Sequence, residues 1–214
     1  MRRTVEAAPS NPLSRCSSRP HLVIDARTML GEQTSGIGRY ASGIVSGIDR
    51  LAAARRFTYS LLVPRKQRER IGMLQLQHCS GVAPLPSLAK NLAHQILKRG
   101  LNLSLDALLP KGHYYFPAFT VLPMRSRRTA VVVHDLAHLD VPHCVEAGNV
   151  ELLRYALPRS IRQAQSIIAV SGYTKQRIVH HFQIDPSVIH VAPRSVEPGG
   201  VGAGSRGRHR LLCR

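Results

Sequence analysis

Short runs in which nearly every position is apolar alternate along most of the chain with longer stretches whose apolar residues recur every three or four positions. HLVIDAR (His21 to Arg27) is the first such run. A polar loop follows, and from Ile37 the positions Tyr40, Ala41, Ile44, Val45, Ile48, Leu51 and Ala52 keep helical spacing. TYSLLV (Thr58 to Val63), HYYF (His113 to Phe116), TAVVV (Thr129 to Val133), SIIAV (Ser166 to Val170) and VIHVA (Val188 to Ala192) read as further strands. A strand is also expected near Leu76 to Ala83, and Ser87 opens a helical stretch with Leu88, Leu92, Ala93, Ile96 and Leu97 on one side. Pro158 sits where a helix could begin, because proline suits the first helical position, and Ser171 with Thr174 reads as a helix start. Strands apolar throughout, separated by helices, predict an α/β fold: a mostly parallel, Rossmann-like sheet covered on both faces.

This periodicity ends with Pro193. Residues 194–214 are rich in glycine and arginine with no apolar period, and residues 1–20 are rich in arginine, serine and proline, so both are expected to be disordered tails flanking one domain over 21–193. No continuous apolar segment marks residues 1–20 as a secretory signal, and no run reaches the ~20 residues that a spanning helix needs.

Charge changes the picture less than its size suggests. The 30 lysines and arginines against 12 acidic residues give a net charge of +18, attractive to any polyanion. The basic residues are spread out, there is no tryptophan, and no nucleic-acid-binding motif accompanies them, so no specific nucleic-acid partner is expected. Cys16, Cys79, Cys144 and Cys213 are scattered without a C-x-x-C, which fits a reducing compartment better than a disulfide scaffold or a zinc framework.

Two stretches carry candidate chemistry. In SGIGRYA, Gly36, Gly38 and Ala41 match G-x-G-x-x-G/A, but a nine-residue loop precedes them, and Arg56 to Arg68 holds no acidic residue to bind a ribose. There remains a glycine turn before a helix N-terminus, either approaching a phosphate or sugar or only shaping the turn. In TAVVVHDLAHLDVPH, His134 and Asp135 end a strand, and ligands of open parallel sheets bind at the carboxyl ends of strands. HDLAH differs from the zinc-protease H-E-x-x-H, whose histidines need one helical face, because a β-type valine run leads into it. A looser metal site from His134, Asp135, His138, Asp140 and His143 stays open, as does a pair making local hydrogen bonds. The six aspartates form no D-x-D, and neither a P-loop nor a G-x-S-x-G elbow occurs.

The collinear set VIDART, SGIGRYASGI, HYYFPAFTVLP, TAVVVHDLAHLDVPH and ALPRSIRQAQSIIAVSGYTKQRIVHHFQIDPSVIHVAP resembles the N-terminal, acceptor-side domain of retaining GT-B glycosyltransferases of family four, or group 1, over about Leu22 to Pro193. The resemblance implies transfer of a sugar from a nucleotide-sugar donor to a glycan or lipid-linked acceptor, with retention and without a metal or other cofactor. It implies that Gly36 and Gly38 approach donor phosphate and acceptor, that His134 faces the donor sugar, and that Asp135 orients His134 or touches the acceptor. Ser171 matches the serine at a strand-to-helix turn on the cleft side. It further implies a cytoplasmic protein, peripheral at the inner membrane face if the basic stretch Ser87 to Leu101 docks on anionic lipid.

The family continues with a second domain carrying Glu-x(7)-Glu for the donor, and no two glutamates here are eight apart. The chain therefore reads as a truncated transferase. It is expected to show negligible activity alone, because remote donor contacts position the reacting centre. Two alternatives stand beside that reading: a non-catalytic binding module or half-enzyme that pairs with a separate donor domain, and a metal-dependent hydrolase built on His134, Asp135 and His138.

Overall fold

The computed structural model describes residues 19–31, 35–54, 56–85, 104–125 and 128–193. Seven strands form one sheet in the order β3-β2-β1-β4-β5-β6-β7, and every neighbouring pair is parallel. They are β1 (His21–Asp25), β2 (Thr58–Pro64), β3 (Gly81–Leu85), β4 (His113–Phe116), β5 (Thr129–Val133), β6 (Ser166–Ala169) and β7 (Ile189–Val191). The helices are α1 (Gly36–Ala52), the single turn α2 (Ala137–Asp140), α3 (Ala147–Gln163) and α4 (Gly172–Phe182). This is the expected α/β, Rossmann-like architecture.

The uninterrupted apolar runs follow from coverage on both faces. Ile24, Tyr59, Leu61, Val63, Tyr115 and Val132 point to the face on which α1 lays Ala41 and Val45. Val23, Leu62, Phe116, Val131 and Val133 point to the other, against Leu157 and Ile161 of α3 and Ile178 of α4. Because alternate residues of one strand serve opposite faces, a polar residue at the middle of β1, β2 or β5 would be buried.

The order also fixes where a ligand can enter. From β1 the chain steps outward through β2 and β3, then returns to place β4 on the other side of β1 and steps outward again through β5, β6 and β7. The loops after β1 and β4 leave neighbouring strands in divergent directions, and such a switch point opens a crevice at the carboxyl edge.

Several expectations are corrected in detail. The strand placed near Leu76–Ala83 lies at Gly81–Leu85, because residues 65–74 form a 3₁₀ segment and Asp49 of α1 pins the chain just beyond it. The Asp49 carboxylate accepts from the amides of Gln77 (2.9 Å) and His78 (2.8 Å) and from the buried Tyr59 hydroxyl (2.5 Å). Pro158 lies inside α3, which begins at Ala147. Leu51, on the expected apolar stripe of α1, is exposed. The helix expected over Ser87 to Leu101, the C-terminal tail and nearly all of the N-terminal tail lie outside the described residues. Among those described, no helix is long and apolar enough to cross a membrane.

Candidate active site

The loop after β1 is anchored by charge. Asp25 is buried at the end of β1 and accepts from the Arg27 amide (3.1 Å), Nε (2.9 Å) and Nη2 (2.6 Å). This bidentate pair fixes the turn that delivers Thr28 to the carboxyl edge. From there the chain reaches Ser35, whose hydroxyl caps α1 by accepting from the Gly38 amide at 3.1 Å.

The two glycines do different things. A Cβ on Gly38 would stand 2.5 Å from the carbonyl oxygen of Thr28, so the first turn of α1 packs directly on the β1 loop. A Cβ on Gly36 would meet nothing within 4 Å, and this residue is exposed. The open side needed for approach to a ligand is thus at Gly36, while Gly38 has a packing reason to be glycine.

His134 and Asp135 leave β5 in opposite directions. The His134 ring is 5% exposed, and its Nε2 lies 2.9 Å from the carbonyl oxygen of Pro117 after β4. A carbonyl only accepts, so Nε2 carries the proton. Tyr40 of α1 and Phe119 stand edge-on to the ring at centroid distances of 5.0 and 5.4 Å. The imidazole therefore ties together α1 and the ends of β4 and β5. Asp135 is exposed, and its Oδ1 accepts from the Ala137 amide at 3.0 Å, starting α2.

Ser171 caps α4 by accepting from the Thr174 amide at 3.0 Å. The Thr174 hydroxyl in turn donates to the carbonyl oxygen of His134 at 3.3 Å. The cap thereby reaches the predicted histidine through one intermediate residue.

Around these residues lies a cleft of about 350 Å³ at the switch point, walled by the loops after β1, β4 and β5 and by α3. Asp135 lines it, with Thr28, Phe119, His138 and Asn149. His134, Gly36, Gly38 and Ser171 are not among the residues that line it. Nothing in the residue types of Thr28 and Phe119 marks them in the sequence. Only their places, just beyond strand ends, could have done so.

The metal-hydrolase alternative finds no ligand set among the described residues. Among the described residues no three His, Cys, Asp or Glu side chains come together as metal ligands would, and His134 is engaged with Pro117. Asp140 instead pairs with Arg177 of α4, bound through Nε (3.0 Å) and Nη2, and with His181 (2.7 Å). The Arg177 hydrogen bonds hold its pKa down to about 2. A folded value below the unfolded one, about 3.9, gives stability that is full above that value and lost as pH falls through the folded pKa. The melting temperature of the wild type should therefore drop more steeply between about pH 4 and pH 2 than that of Asp140→Asn. Parallel profiles in that window would show that the cluster does not hold α2 on α4.

Residues 53–199, more than half of the chain, match the protein family described as Glycosyltransferase Family 4. The matched segment carries β2 to β7 with His134, Asp135 and Ser171, and begins after Gly36 and Gly38. No curated protein matches the chain. With the parallel sheet, the switch-point cleft and this match together, the chain belongs to glycosyltransferase family 4.

Proposed function

We propose that this domain is the acceptor side of a retaining, metal-independent glycosyltransferase that moves a sugar from a nucleotide-sugar donor to a hydroxyl of a glycan or lipid-linked acceptor. The observation that carries the reading is the cleft at the switch point of a family 4 domain, with an exposed carboxylate, Asp135, on its wall. In this reading the open face at Gly36 receives the donor diphosphate, whose charge suits the N-terminus of α1. Asp135 receives the acceptor beside the reacting carbon. His134, held rigidly between α1 and the β4 loop, acts from behind the wall by fixing the loops that face the cationic sugar as the leaving group departs. Such positioning contributes only when a donor-binding wall faces it.

The test is transfer of labelled sugar from UDP-, GDP- and ADP-sugars to acceptors extracted from cells, with the chain alone and with a family donor domain added in trans. Labelled product that falls at least about tenfold in Asp135→Asn is expected. No transfer under either condition overturns the proposal. Docking on anionic membrane through Ser87 to Leu101 belongs to the same reading, and sedimentation with vesicles, with and without anionic lipid, decides it.

A further inference from the structure

The switch-point cleft has a property that the transferase reading does not use. His138 is 1% exposed, and neither ring nitrogen has a hydrogen-bond partner. The Thr28 hydroxyl oxygen, on another residue lining this cleft, is buried and unpartnered as well. Buried polar groups are nearly always paired, because water lost on burial must be replaced. Two such groups, on residues that line one cleft, lack the partner that a guest displacing the side chains over them would supply. The surrounding wall, with Ile37, Phe119, Val145 and Leu152, is mostly apolar.

The charge state narrows the guest. Burial pushes the His138 pKa down, and His181 and Arg154 add to this, against the opposing pull of Asp135 and Asp140. A neutral imidazole offers one donor and one acceptor, and so does a threonine hydroxyl. Their complement is a neutral hydroxyl, which also donates and accepts. A phosphate only accepts, and Asp135 on the same wall repels it.

We infer that this cleft takes an apolar molecule through a neutral hydroxyl group hydrogen-bonded to His138 and Thr28, so that the acceptor of this domain is a hydroxylated apolar compound rather than a sugar phosphate. The assignment of the guest as acceptor rests on the transferase reading, but its binding chemistry does not.

The experiment follows the histidine ring-proton NMR signals and the affinity of the full chain at neutral pH with three probes: β-naphthol, β-methylnaphthalene and β-naphthyl phosphate. β-Naphthol is expected to bind saturably, shift the His138 signals, and bind at least about tenfold more tightly than either analogue, as a site built around a hydroxyl should. His138→Phe and Thr28→Val should each bring naphthol and methylnaphthalene towards equal affinity. Equal affinity in the wild type, tighter binding of the phosphate, or unmoved His138 signals would each overturn the inference, whether or not the variants fold. Naphthol preference without sugar transfer would sink the transferase reading alone, and transfer without that preference would sink this one alone.

Discussion

Gly38→Ala is expected to lower the unfolding free energy by about 2 kcal/mol, whereas Gly36→Ala two positions earlier should leave it unchanged or raise it by about 0.5 kcal/mol. The added methyl at Gly38 would stand 2.5 Å from a backbone oxygen, that of Thr28, which cannot rotate aside as a side chain could. Relief requires α1 to lift from the β1 loop, and the Gly38 amide then loses its 3.1 Å bond to the Ser35 hydroxyl. That loss alone is worth about 1 kcal/mol. At Gly36 the space is empty and alanine is the better helix former. Urea unfolding of the two variants measures the difference, and equal midpoints would show that the contact at Gly38 relaxes freely. Function should divide the other way. Under the proposed transferase function, Gly36→Ala should hinder a donor phosphate approaching the open side while the fold is intact, so that stability and transfer separate between two glycines of one motif.

The layers of the domain were readable because burial on both faces demands a distinctive sequence. Val131, Val132 and Val133 are all buried, and no half-exposed strand would tolerate three consecutive valines. The N-cap at Ser171 was readable because its hydroxyl acts within one turn. Pro158 misled because local preference is weak against packing: Ala156, Leu157, Ser160 and Ile161 are buried on either side of it, and the Ser160 hydroxyl receives the Val121 amide at 2.9 Å. Those contacts carry the helix through a residue that removes one of its hydrogen bonds. The place of β4 beside β1 was not readable at all, since strand order depends on long-range pairing, and the switch-point cleft depends on that order. For the same reason the sequence marked His138 only as one histidine among several. Its meaning comes from the absence of partners around it.

His134→Ala should be the most damaging single substitution near the cleft, costing about 3 kcal/mol of stability. It removes a ring buried between Tyr40 and Phe119 and strips the Pro117 carbonyl of its donor, in a region too enclosed for water to replace it cheaply. His134→Gln keeps an amide N–H able to reach Pro117 and should recover part of the loss, which separates the hydrogen bond from the packing. Asp135→Asn, exposed and still able to accept from the Ala137 amide, should change stability little. Denaturant midpoints for the three variants measure this directly, and an unaltered midpoint for His134→Ala would show that the ring is not a structural tie. The consequence for chemistry is specific. Activity lost in His134→Ala reports the collapse of the β4 and β5 loops together with any effect on the sugar, so the histidine's own contribution is the difference between Gln and His at equal folded fraction. Asp135, adjacent in sequence but pointing to solvent, can be read from activity alone.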